Sequence, residues 1–179
     1  MKTVFFDIDT QIDFLYPAGA LYVPGAERII PAVAELNHRA PLVVSTMCAH
    51  SEDDPEFKIY PHHCVMCTTG QSKPAATVLQ KSDAARQVFL DKQELDCFSN
   101  LRLPLMLREF GAERYVVYGV VTEICVRLCA FGLLKLGQRV EIVTDAVKAL
   151  DEGAARKMFT EFQAVGGHLT SLGELKIPG

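Results

Sequence analysis

Tryptophan is absent from this 179-residue chain, and aromatic residues make up only 8% of it. Long apolar runs are absent too: no stretch approaches the length of a bilayer crossing, which excludes an ordinary membrane-spanning helix. Nor is there a block of basic residues. Eighteen Lys and Arg stand against 22 Asp and Glu, a formal charge of −4 spread along the chain. Nucleic acids and anionic membrane surfaces are held by concentrated basic faces, so neither is an expected partner. The opening, Met1 to Asp7, reaches an acid before the core of a signal peptide can form. The expected location is therefore cytoplasmic, where the six cysteines (48, 64, 67, 97, 125 and 129) would be reduced thiols.

What is there reads as an ordinary globular composition, 49% hydrophobic and 22% charged. The length suits a single domain over 1–179. Short apolar runs at 2–8, 41–46, 87–91, 114–119 and 138–143 read as buried strands, with a last short strand at 168–171. Helical spacing marks 26–39, where Ile29, Ile30, Val33 and Leu36 share a face. Further helices are expected at 101–110, stopped by Gly111, at 124–136, ended by Gly137, and at 151–165, before Gly166 and Gly167. Strands alternating with helices imply right-handed crossovers and a mainly parallel α/β sheet, covered on both faces. The stretch 47–82 has no such pattern and is rich in His, Cys, Pro and acids. A loop of that length in a compact domain calls for a function, and it is expected to wall the site.

Ligands of open α/β sheets bind at the carboxyl ends of the strands. Asp9 ends the first strand, Lys92 the third, and Gly119-Val120-Val121-Thr122-Glu123-Ile124-Cys125 follows the fourth. An acid, a base and a thiol are thus expected on one rim. A helix beginning near Thr122 as N-cap puts Cys125 in its first turn, where free N–H groups and the helix dipole favour a thiolate. Read singly, Asp9 suits a turn and Lys92 a solvated surface. A helical cysteine is usually a small buried hydrophobe, which is the reading for Cys129.

Asp9-Thr10-Gln11-Ile12-Asp13-Phe14, then 17–21 (PAGAL) and 23–25 (VPG), resembles the opening of the isochorismatase-like cysteine hydrolases, which include nicotinamidases. Lys92 after the third strand, the 119–126 segment (GVVTEICV) and 143–146 (VTDA) extend the resemblance over most of the chain. The resemblance implies a three-layer α/β/α fold with a mainly parallel, doubly wound sheet. It also implies a Cys125–Asp9–Lys92 triad, a cis peptide at Val120–Val121, and an oxyanion hole from the Val121 and Cys125 N–H groups. Homo-oligomers are common in the family.

Relatives of the nicotinamidase type carry a D-x-H…H metal site. Here His50 and His63 stand in the matching loop positions, while Cys48 occupies the place of the first carboxylate, and Glu56 or an acid before it can add an oxygen. Cys48, His50 and His63 together would suit zinc. Cys64 and Cys67 form a lone C-x-x-C, a weak zinc signal. Phe14, Tyr60 and Phe98 are the candidates for an apolar substrate pocket, each equally suited to the core. The expected function is hydrolysis of a small carboxamide through a thioester on Cys125, with no cofactor needed by the triad. Isochorismatase-type vinyl-ether hydrolysis and a non-catalytic binding protein on the same fold are the alternatives.

Overall fold

A computed structural model describes residues 2–177. Its strands are β1 (Thr3–Ile8), β2 (Val43–Cys48), β3 (Gln87–Lys92), β4 (Arg114–Val120), β5 (Arg139–Lys148) and β6 (His168–Thr170). The helices are α1 (Ile12–Leu15), α2 (Ile30–Arg39), α3 (Leu103–Phe110), α4 (Arg127–Lys135) and α5 (Glu152–Ala164). The six strands form one sheet in the order β3-β2-β1-β4-β5-β6, every neighbouring pair parallel.

Side-chain alternation along β1 explains the three layers. Val4, Phe6 and Ile8 point into a core with Leu103 and Leu107 of α3, Leu133 of α4 and Phe162 of α5. Phe5 points the other way, into a core with Leu15 of α1 and Val33 and Leu36 of α2. A strand buried on both faces needs apolar residues at successive positions, which is why these strands read as continuous runs. Strand order reverses between β1 and β4, and their carboxyl ends bound the crevice where such folds bind ligands.

Local chemistry sets the element ends. Gly111 ends α3 with φ 52°, and the Asp151 carboxylate caps α5 by accepting from the Gly153 and Ala154 N–H groups. The helix expected over 26–39 is instead a 3-10 turn, Ala26–Ile29, followed by α2. Pro31 lies in the first turn of α2 and has no N–H to bond back to the preceding turn. The expected helix at 124–136 begins earlier, as a π-helical turn over Thr122–Val126 that passes into α4. Val121 takes the N-cap position there, and the buried Thr122 side chain caps nothing. β5 continues to Lys148, past the expected end, through a register shift against β4. The irregular stretch includes the end of β2 and short 3-10 turns at Pro55–Lys58 and Ala75–Thr77. No described helix is long and apolar enough to cross a membrane.

Candidate active site

The carboxyl ends of β1, β3 and β4 bring Asp9, Lys92 and Cys125 together. Asp9 sits one residue past β1 with φ 49°, in the left-handed region. Its Oδ1 accepts from the Thr46 hydroxyl at 2.6 Å, and its Oδ2 lies 2.9 Å from Lys92 Nζ. Oδ1 is thus occupied by Thr46, and Oδ2 is the oxygen that faces the Lys92 ammonium. Lys92 also donates to the Glu94 carbonyl at 3.1 Å and to Cys48 Sγ at 3.2 Å.

Cys125 lies in the π-helical turn behind the cis Val120–Val121 peptide. Gly119 precedes it with φ 116°, and a Cβ there would strike the Ile8 backbone of β1. That packing brings the turn that carries Cys125 against the end of β1.

Electrostatics correct one expectation. Burial pushes the Cys125 thiol well above its ordinary value; Lys92 pulls it down, but the Asp9 charge and a hydrogen bond from the thiol to Asp9 add to the rise. The balance of these neighbours favours the thiol form of Cys125 beside the Asp9 carboxylate, where the sequence suggested a thiolate. The lysine runs the other way. Burial opposes its charge, yet Asp9, Cys48 and Cys125 outweigh burial and hold Lys92 protonated well above the lysine range.

One pocket opens onto Asp9 and Cys125. Phe14, Leu21, Val23, Tyr60, Leu95, Ile124 and Leu150 wall it, with Asp9, Cys48, Glu56, His63, Val120, Val121 and Cys125. Phe14 and Tyr60 fall where expected. Phe98 does not: the Cys97–Ser99 turn lays its ring against Gly132 of α4, where a Cβ would collide with it. The walls Leu21, Leu95 and Leu150 were not foreseen, because single leucines in loops carry no positional signal.

The two histidines converge beside this pocket, but not with Cys48. His50, Glu56 and His63 each offer a ligand atom, all within 4.8 Å of one another. Backbone pairing explains the approach: His50 N–H donates to the Cys64 carbonyl at 3.1 Å, and Met66 N–H to the His50 carbonyl at 2.9 Å. Asp54 Oδ2 holds His50 Nδ1 at 2.9 Å, and the Pro61 carbonyl holds His63 Nδ1 at 2.8 Å. Both Nε2 atoms are thereby left for another partner, as in metal sites whose histidines are oriented from behind. His50 Nε2 is buried without a hydrogen bond, the orphan a metal would satisfy. Burial keeps His63 below its ordinary value, toward the neutral form, against the opposing bond to the Pro61 carbonyl.

Cys48 is corrected accordingly. Its thiol is engaged by Lys92, and burial, with the Asp9 charge, pushes it up to about 12. The side chain that offers a third ligand atom beside the two histidines is Glu56. Cys64 and Cys67 take no part in the cluster, and all six cysteines are free thiols.

The residues between Asp9 and Phe14 hold the loops around the site. Gln11 donates to the Cys48 and Gln71 carbonyls at 2.8 Å each and accepts from the Cys48 N–H at 2.7 Å. Asp13 accepts from the N–H groups of Cys64 at 2.7 Å and Ala20 at 3.0 Å.

Known proteins are similar to this chain over nearly its whole length. A nicotinamidase of Acinetobacter baylyi is 25% identical over 188 residues, covering 89% of this chain and 87% of its own. The crystal structure of a Pyrococcus horikoshii pyrazinamidase in complex with zinc is 30% identical. It superposes with a TM-score of 0.84 over 96% of this chain and 99% of its own. A pyrazinamidase/nicotinamidase from Streptococcus mutans is 26% identical, with a TM-score of 0.84 over 94% and 99%. Residues 3–174 match the isochorismatase domain, and the chain therefore belongs to the isochorismatase family.

Proposed function

We propose that this protein is a cysteine amidase that hydrolyses a small neutral carboxamide. The observation that carries the reading is the buried cluster of the Cys125 thiol, the Asp9 carboxylate and the Lys92 ammonium, of which Cys125 and Asp9 face one apolar pocket while Lys92 lies behind Asp9. The relatives' activities on nicotinamide- and pyrazinamide-type amides support the bond class.

Each group then has a role set by its surroundings. Asp9 Oδ2 accepts the thiol proton as Cys125 Sγ attacks the amide carbon. The N–H groups of Val121 and Cys125 stabilise the developing oxyanion. Asp9 returns the proton to the departing nitrogen, leaving a thioester on Cys125. Water, deprotonated by Asp9, then releases the acid. Lys92 stays charged throughout and steadies the negative charge that moves between Asp9 and Cys125.

His50, Glu56 and His63 would hold a metal, and a His₂Glu set is one that catalytic zinc uses. Three protein ligands leave a coordination position for a substrate donor atom or water. Phe14, Tyr60 and Ile124 bind the substrate body by excluding water.

No lysine or arginine lines the pocket, and its acids are Asp9 and Glu56. An anionic substrate would meet these acids with no cation on the pocket wall to pair with, whereas a neutral amide needs none. Ammonia release should be screened over nicotinamide, pyrazinamide, carbamoyl compounds and aliphatic amides, with Cys125→Ala alongside. Turnover of a neutral amide that vanishes in Cys125→Ala is the expected result. Turnover undiminished in Cys125→Ala would sink the reading.

A further inference from the structure

A second buried ion pair lies behind the site, outside the pocket. Lys73 Nζ stands 2.8 Å from Asp7 Oδ2, with side-chain exposures of 1% and 0%. Asp7 also accepts from the Thr10 hydroxyl at 2.6 Å, Asn37 Nδ2 at 2.9 Å and the Ser45 hydroxyl at 3.2 Å. Asn37 Oδ1 in turn accepts from Tyr118 at 2.6 Å. Lys73 reaches the Thr10 carbonyl at 3.4 Å and contacts the Thr10 hydroxyl as well.

Burying two charges is expensive, and well-packed apolar residues of similar volume often do as well or better. Stability alone therefore does not account for Lys73 and Asp7. Their placement does. Asp7 and Thr10 bracket Asp9 in the chain, and both are gripped by the one ammonium of Lys73. Asp9 between them holds φ 49°, in the left-handed region, which aspartate tolerates better than most residues but which still favours glycine and so gains from neighbours that hold it.

We propose that Lys73 is a positioning residue for the catalytic base: by clamping Asp7 and Thr10 it imposes the left-handed turn that aims the Asp9 carboxylate at Lys92 and Cys125. This rests on the catalytic role proposed for Asp9. The clamp also ties the loop that carries His50 and His63 to the end of β1, so the base is placed only once that loop has docked.

The test is the double variant Asp7→Asn/Lys73→Met, which removes both charges and so avoids leaving one buried alone. With the amide found in the ammonia screen, kcat should fall about 10–100-fold, as displaced catalytic groups do. KM should stay within about threefold, since neither residue lines the pocket. A crystal structure of the variant should show Asp9 out of the left-handed region and beyond ion-pair contact with Lys92. Thr10→Val, a neutral change of similar shape, gives a second reading if the double variant does not fold, and kcat should fall about tenfold. Asp9 unmoved, or kcat within twofold of the parent in a folded variant, would overturn the proposal. Cys125→Ala separates the two failures, because undiminished turnover in that variant defeats the catalytic reading itself, whatever Lys73 does.

Discussion

Lys92 and Asp9 meet at 2.9 Å with side-chain exposures of 0% and 1%, so the pair is withdrawn from bulk water. Neither charge has solvent to fall back on if the other is removed. Breaking such a pair by deleting one partner costs about 3–5 kcal/mol. Lys92→Met should therefore lower Tm by roughly 6–20 °C at about 2–4 °C per kcal/mol for a chain of this size. Adding Asp9→Asn should restore part of that loss while activity stays absent. Thermal melts of the parent, both single variants and the double variant check the coupling. Strictly additive losses would show that the two side chains do not interact.

Asp9→Asn alone should fold and lose most acylation, about 10²–10⁴-fold in kcat, because an amide cannot take the thiol proton. Single-turnover assays of the first product check it. A variant within a few-fold of the parent would mean that another group moves the proton.

The raised Cys125 thiol has a pH signature. With burial holding it above the ordinary thiol value of 9.0, the thiolate fraction is small at neutrality and grows with pH. Iodoacetamide labelling of Cys125 should climb steadily from pH 6 to 9, followed by peptide mass spectrometry. The exposed Cys67 should label first, and the fully buried Cys129 last. A labelling rate for Cys125 already flat by pH 7 would indicate a resting thiolate pair with Lys92.

Metal content separates the candidate ligands. His50→Ala and Glu56→Gln should each sharply lower zinc bound after incubation and dialysis, because each removes one of three convergent ligand atoms. Cys48→Ala should leave it unchanged, since that thiol serves Lys92. Elemental analysis decides. Zinc lost in Cys48→Ala but kept in Glu56→Gln would return the thiol to the ligand set.

Glu141 predicts an acid limb of stability. Burial opposes its charge, but a bidentate bond from Arg114 at 2.6 and 2.8 Å, with Arg139 at 2.9 Å, holds the carboxyl below its ordinary 4.5. A carboxyl depressed on folding stabilises above its unfolded pKa, and that contribution drains away as pH falls through the folded value. Glu141→Gln should thus be less stable than the parent at pH 7, by about 1.5–3 kcal/mol for a charged hydrogen bond. The gap should narrow between pH 5 and 3 in urea titrations. A gap constant across that range would mean that the charge contributes nothing.

The alternation of apolar runs with helical spacing was enough to read the parallel sheet, because a strand covered on both faces has no polar side to write into its pattern. Asp9, Lys92 and Cys125 were legible for a related reason: each stands where a strand ends, and strand ends share one rim in this fold class. Gln11 and Asp13 stood out as motif letters, though their bonds to the Cys48 and Cys64 backbone could be seen only once the chain was folded.

The loop was where sequence reasoning failed. Cys48 and Glu56 are both competent ligands, and neither spacing nor composition separates them. The end of β2 directs the Cys48 thiol to Lys92, while the turn at Pro55–Lys58 brings Glu56 to the histidines. Phe98 and Phe14 are alike as letters, yet one lies on Gly132 and the other on the pocket. The protonation of Cys125 likewise depends on the balance of burial, Lys92 and Asp9, which exists only at close range. The sequence by itself determined which residues could react and which layer each strand would share. Tertiary structure alone decided which of them touch and which carry charge, because contact and desolvation are properties of neighbours that lie far apart along the chain.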